Sequence, residues 1–195
     1  MRIFADGGCS GNPGPGGWAY VIVKDSSGSD NISHSDDLSA LILKEAWGAV
    51  RNTTNNRMEL QAVISALEAL SALDPAGIQV SKPQFYDDFT QNKRTRLKIE
   101  VYTDSQYVQK GMSQWIKDWK ARGWRTAAKD PVKNQDLWQR LDTLVADFSI
   151  AWHWIKGHAG NLFNEHCDTL TQKAINTLIC NEPEFVKKTL VLHTE

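Results

Sequence analysis

Leu97-Lys98-Ile99-Glu100-Val101-Tyr102-Thr103-Asp104-Ser105 is the stretch on which the fold turns. Leu97, Ile99, Val101 and Tyr102 stand against Lys98 and Glu100 with the two-residue period of a strand, and the run stops abruptly at Asp104, where helical spacing takes over. In sheets with helical connections, ligands bind at the edge where strands end, so a carboxylate placed there has a reason to be functional. Asp followed by Ser also suits the cap of the next helix, and by itself the pair supports either role.

Upstream, Arg2 to Ala5 reads as a short strand that delivers Asp6. Gly7 to Gly17 is so dense in Gly and Pro that it is expected to turn rather than join a helix or a ladder. No Gly-Lys-Ser/Thr follows it, which excludes a phosphate-cradling P-loop. Trp18 to Val23 and Leu41 to Ala49 read as two more strands, and connections without a crossover helix make strands 1 to 3 an antiparallel meander. Asn52 to Asn56 marks a helix start, with Asn56 three residues before Glu59 in capping-box spacing. Leu60, Val63, Ile64, Leu67 and Leu70 then recur at helical intervals to about Leu73, which puts Glu59 in the first turn.

Downstream, Tyr107, Val108 and Met112 suggest a short helix, and Ser113 a cap for a second one holding Trp115, Ile116 and Trp119 and ended by Gly123. From Lys110 to Lys133 there are seven basic residues against two acids, interleaved with Trp115, Trp119 and Trp124. Flat apolar faces beside cations are what a nucleic-acid groove uses, although the same pattern arises when tryptophans pack inward and lysines stay in solvent. Asn134 is expected to cap a helix with Leu137, Leu141, Leu144, Val145 and Phe148 on its apolar stripe, and Ile150 to Ile155 is a strand. A helix between two strands makes strands 4 and 5 parallel. Lys156-Gly157-His158-Ala159-Gly160-Asn161 is a glycine-flanked histidine loop. The last helix carries Asn164, Glu165 and Asp168 near its start and buries Phe163, Cys167, Leu170, Ala174 and Leu178.

At 195 residues the chain suits one α/β domain spanning 1–195, with polar or aperiodic insertions at about 25–39 and 74–95 and a tail at about 181–195 that is apolar enough to dock. A hydrophobic content of 41% with 23% charge excludes fibrous, mainly disordered and membrane classes, and no run approaches the roughly 18 apolar residues of a span. With no signal-peptide pattern, a cytoplasmic location is the default. Cys9, Cys167 and Cys180 form no CxxC pair, so they read as reduced thiols rather than a disulfide framework or a zinc site. The net charge of -1 hides the basic 110–133 segment, and local charge governs binding to phosphate backbones.

Asp6 and Asp104 end strands, and Glu59 and Asp168 lie early in helices. If the two strands are neighbours, four carboxylates converge, and four cannot share a small space ionised without cations. Hard divalent ions, magnesium above all, suit such an oxygen set. Two such ions about 4 Å apart clamp a phosphodiester and activate water. His158 on its loop would move protons or assist product release, although a loop histidine is also ordinary surface.

The chain resembles bacterial ribonuclease HI, of the type 1 ribonuclease H family. The match runs through Asp6-Gly7 with Gly11-Asn12-Pro13-Gly14-Pro15-Gly16-Gly17, Thr53-Thr54-Asn55-Asn56-Arg57-Met58-Glu59-Leu60, Thr103-Asp104-Ser105-Gln106-Tyr107-Val108, Arg122-Gly123-Trp124 and Pro131-Val132-Lys133-Asn134. It continues through Asp136-Leu137-Trp138, Lys156-Gly157-His158-Ala159-Gly160, Asn164-Glu165 and Cys167-Asp168. The resemblance implies a five-stranded mixed sheet of order 3-2-1-4-5 flanked by helices. It implies an endonuclease that cuts the RNA strand of RNA/DNA hybrids to 5′-phosphate and 3′-hydroxyl ends. Asp6, Glu59, Asp104 and Asp168 would hold two magnesium or manganese ions, and His158 would assist catalysis. Cys9, Asn12, Asn55, Asn56 and Gln106 look like minor-groove contacts, Thr54 and Asn134 like a grip on a DNA-strand phosphate. Trp115, Trp119, Lys120, Arg122 and Trp124 look like the basic protrusion that holds the DNA strand. The chain would act as a monomer. A catalytically silent hybrid-binding module, or another two-metal enzyme such as an integrase or transposase domain, would share the fold; the former would lack a carboxylate, the latter the Trp-rich segment and the Lys-Gly-His loop. The two insertions exceed the compact bacterial pattern, His166 stands where arginine is common, and Asn52 stands where some relatives carry an arginine.

Overall fold

The computed structural model describes residues 1–24, 40–72, 97–181 and 185–191. The expected insertions at 25–39 and 74–95 lie outside these residues. The described elements are β1 (Arg2–Cys9), β2 (Gly14–Val23), β3 (Ile42–Thr53), α1 (Asn55–Ser71), β4 (Leu97–Thr103), α2 (Gln106–Lys110), α3 (Ile116–Ala121), α4 (Gln135–Val145), β5 (Phe148–Trp154), α5 (Leu162–Asn181) and β6 (Phe185–Val191).

The sheet runs β5-β4-β1-β2-β3-β6. Within it stands the expected order 3-2-1-4-5, with β1 to β3 antiparallel and β4–β5 parallel. The sixth strand corrects the five-strand expectation: part of the tail docks antiparallel on β3, from Lys44↔Val191 to Val50↔Phe185. A strand added there satisfies the outer row of β3 backbone groups, which otherwise stay unpaired at a sheet edge.

β1 is central, so both of its faces are buried. Ile3 and Ala5 join Trp18, Tyr20, Ile22, Leu60, Val63, Ile64, Leu67, Trp138 and Leu141 in one core, under α1 and α4. Phe4 joins Ala19, Val21, Trp47, Phe163, Cys167, Leu170, Ala174 and Leu178 in the other, under α5. The expected α5 stripe is therefore the buried one. Ile150 and Phe148 face the first core from β5.

The glycine-rich stretch departs from the sequence expectation. Gly7 and Gly8 belong to β1, and Gly14, Gly16 and Gly17 to β2, paired as Gly7↔Trp18, Gly8↔Gly17 and Cys9↔Gly16. Glycine enters a ladder where another backbone comes close. At Gly17 a Cβ would lie 2.8 Å from the Thr171 carbonyl oxygen of α5. The expected break at Ser113 is also absent. α2 passes through a π-helical turn, Gly111–Trp115, straight into α3, and at its start Gly111 lies so close to the buried Trp138 ring that no side chain fits there.

Candidate active site

β1 pairs in parallel with β4 through Ile3↔Val101 and Phe4↔Tyr102. Carrying that register on by two residues sets Asp6 opposite Asp104 at the sheet edge, as the strand reading required. Asp104 is not a cap: the Ser105 hydroxyl accepts from the Val108 N–H at 3.3 Å and closes the start of α2. Its carboxylate is thereby left for other chemistry.

α1 starts two residues earlier than the capping-box spacing indicates. Thr54 is its N-cap residue and makes no side-chain cap bond, so Glu59 falls in the second turn rather than the first. That places Glu59 against β1 at Gly7, where a Cβ would run into the Met58 and Glu59 backbone. Asp6, Glu59 and Asp104 each offer one carboxylate oxygen within 4.8 Å of the others. Asp168 lies outside this trio, yet its field reaches Asp6.

Electrostatics follow from burial. Asp6 is 8% exposed, and its pKa is pushed from 3.8 to about 6, by desolvation first. Hydrogen bonds from Thr171 and the Gly7 N–H oppose this, and Asp104 and Asp168 add to it. Burial likewise holds Glu59 well above the carboxylate range, with Asp6 and Asp104 reinforcing it and the Gly7 N–H opposing. Glu59 Oε2 is buried without a hydrogen-bond partner. An orphaned carboxylate oxygen beside two more carboxylates is a poor arrangement for a metal-free protein and a good one for a hard divalent cation. The trio fits such an ion.

The sign of the Asp6 effect gives a test. Folded Asp6 titrates near 6 and the unfolded residue near 3.8, so the stability it contributes is full below 3.8 and is lost as pH rises through 6. In EDTA at pH 7.5, Asp6→Asn should therefore melt higher than the parent, by up to about 3 kcal/mol in stability, with the gain closing towards pH 4. Thermal melts across that range check it; a variant that melts lower at pH 7.5 would refute it.

His158 sits at the tip of its loop with φ 52, its side chain 80% exposed and Nδ1 3.9 Å from Asp168 Oδ2. At Gly157 a Cβ would lie 2.6 Å from Asp104 Oδ2, so glycine is what lets the histidine loop close on the site. Asn161 accepts from the Asn164 N–H and starts α5, while Glu165 reaches back to the Gly160 N–H.

The expected substrate contacts divide into groups. Asn12 Oδ1 accepts from the Asn55 N–H at 3.3 Å, which joins the β1–β2 turn to the start of α1, where Asn56 is exposed. Cys9 is half-buried at the end of β1, and Gln106 is exposed in the first turn of α2, accepting from Lys110. Asn134 has φ 58 and caps α4 through its main chain only, because its side chain is bound elsewhere: Nδ2 donates to Tyr107 Oη and Oδ1 accepts from Arg57. Trp115, Trp119 and the core Trp138 form a ladder of rings 5.7 and 5.3 Å apart, and Trp124 also packs on the core. Lys120 and Arg122 are paired with Asp142 and Asp118. The tryptophans are thus anchored inward, with the cations at the surface.

Three supporting residues escaped the sequence reading. Tyr107 Oη gathers the Trp138 and Asn134 N–H groups and donates to the Lys133 carbonyl. Trp154 Nε1 donates to the Asp104 carbonyl at 2.9 Å. Thr171 donates to the Asp6 carbonyl. Tyr107 stood in the helical spacing and the Thr103–Val108 motif, but nothing in the chain indicated what its hydroxyl would bind.

The sequence model of the RNase H family matches residues 1–176. The chain belongs to the RNase H family. A ribonuclease H of Cupriavidus pinatubonensis is 45% identical over 176 residues, covering 90% of this chain and 95% of that protein. Among solved structures, LC9-RNase H1, described as a type 1 RNase H with the type 2 active-site motif, matches with TM-score 0.65 and 30% identity, over 90% of this chain and 71% of that one. LC11-RNase H1, solved in complex with an RNA/DNA hybrid, shares the fold with TM-score 0.58 and 22% identity, over 91% and 98%. The protein is accordingly a ribonuclease, a phosphodiester hydrolase. Among the described residues no helix is long and apolar enough to cross a membrane.

Proposed function

We propose that the chain is a Mg2+-dependent endonuclease that hydrolyses the RNA strand of RNA/DNA hybrids and leaves 5′-phosphate and 3′-hydroxyl ends. One observation carries the reading: three carboxylates, two of them with raised pKa values, converge at a sheet edge in a chain of the RNase H family. The hybrid held by LC11-RNase H1 supports the substrate. Asp6, Glu59 and Asp104, with Asp168 beside them, would hold the metal. When bound, paired ions supply an activated water and neutralise charge at the leaving oxygen.

The chain's own groups do the rest. Asn12, Asn55, Asn56, Gln106 and Cys9 read the minor groove, where side-chain amides both donate to and accept from 2′-hydroxyls. Thr54 and Asn134 bind a DNA-strand phosphate. The Trp115–Lys133 segment, with Trp119, Lys120, Arg122 and Trp124, steers the DNA strand. His158, exposed and facing Asp168, passes a proton at its imidazole or helps product leave. The protein acts as a monomer of one ribonuclease H domain. Three unpaired cysteines support a reducing, cytoplasmic setting.

End-labelled RNA/DNA, RNA/RNA and DNA/DNA duplexes of one sequence provide the test. Only the hybrid should be cut, with Mg2+ and not in EDTA. Cutting of all three, or cutting in EDTA, would sink the reading.

A further inference from the structure

On the face of the sheet under α1 and α4, β3 and β6 wall an open cavity of about 370 Å³, lined among others by Asn52, Thr53, Arg57, Gln61, Arg140 and Lys187. Strand alternation determines which β6 residues reach it. Val186 packs on the α5 side, so Lys187 points to the other face. There its Nζ lies 5.9 Å from the centre of the Trp18 ring, which forms part of the cavity wall.

The charges in this cavity are unequal in freedom. Arg57 is held bidentately by Asp136 at 3.1 and 2.7 Å, and Arg140 by Glu68, the carboxylate of the lining. Among the described residues no carboxylate pairs with Lys187. A second cation lies within its field: burial, and then Lys187, push the Lys44 ammonium below its ordinary pKa. An ammonium with a second cation in its field, in a cavity also lined by amide and hydroxyl side chains, suits an anion.

Continuity identifies which anion. Arg57, in the cavity wall, donates to Asn134 Oδ1 at 3.4 Å, and Thr53 in the same wall precedes Thr54. The cavity therefore adjoins the grip proposed for a DNA-strand phosphate.

We infer that β6 extends the nucleic-acid footprint: Lys187, over Trp18 in the cavity that Asn52 and Arg140 also line, receives a further phosphate of the DNA strand beyond the one at Thr54 and Asn134. This rests on the hybrid-cleaving function proposed above.

Hybrid binding is measured by fluorescence anisotropy as a function of salt, in the Asp104→Asn background with Mg2+. Each phosphate neutralised contributes about 0.9 to the slope of log Kobs against log salt on a B-form duplex. Lys187→Ala should shrink the slope by about that amount and Lys187→Arg should restore it. Lys188→Ala, on the opposite face of β6, should leave it unchanged. On a hybrid whose DNA strand is too short to reach β6, Lys187→Ala should have no effect. An unchanged slope for Lys187→Ala, or an equal loss for Lys188→Ala, overturns the inference. If the parent enzyme cuts hybrids, that failure leaves the proposed function standing; if it cuts none, the function itself has failed.

Discussion

Asp104→Asn is expected to lower the rate of hybrid cleavage by at least about a thousandfold while the fold survives. Each tenfold corresponds to about 1.4 kcal/mol of barrier, and charge stabilisation by a bound metal supplies several kcal/mol. Asparagine keeps the shape of aspartate and one oxygen, but loses the charge that a hard cation requires. Stability should hold because the cap of α2 belongs to Ser105, not to Asp104. Ser105→Ala supplies the converse, with about 1 kcal/mol of stability lost through the missing cap. Cleavage rates, magnesium titrations and circular dichroism on both variants separate the two effects. A near-normal rate for Asp104→Asn would remove it from the metal site.

The second large effect is structural. Gly7→Ala should cost about 3 kcal/mol, at the upper end of what overpacking usually costs, which is roughly 6 to 12 °C in Tm for a chain of this size. The added methyl would meet main-chain atoms of Met58 and Glu59, and backbone cannot rotate aside as a side chain can. The helix must retreat from β1 and carry Glu59 away from Asp6, so activity falls as well. Gly8→Ala is the control. Its Cβ would meet only the Thr171 methyl, at 3.9 Å, and should be tolerated. If thermal unfolding of Gly7→Ala matches the parent, the close approach of α1 to β1 is misplaced.

Much of the site was legible because its residues end regular elements. The period of Leu97 to Tyr102 marked a strand, and the abrupt change after it marked Asp104. The α5 stripe of Phe163, Cys167, Leu170, Ala174 and Leu178 was readable from spacing and is the buried one. What failed was local chemistry under tertiary control. Gly7, Gly8, Gly14, Gly16 and Gly17 look like a loop by composition, yet they lie in a ladder, and at Gly7 and Gly17 it is the close approach of α1 and α5 that leaves no room for a side chain. Ser113 looks like a cap, yet the chain stays helical around Trp138.

By itself, the sequence determined the element order and the antiparallel meander followed by a parallel pair, and it placed Asp6 and Asp104 at strand ends, since periodicity and connection length are properties of the chain. The tertiary structure alone decided that Asp6, Glu59 and Asp104 form the close trio while Asp168 stands beside it with His158. It also decided that Tyr107 anchors Asn134, and that part of the tail becomes a sixth strand carrying Lys187 into the cavity beside Arg57. The reason is range. Spacing along the chain reports which face a residue occupies, whereas the meeting of residues from β1, α1 and β4, or from β3 and β6, depends on how close the packed layers come.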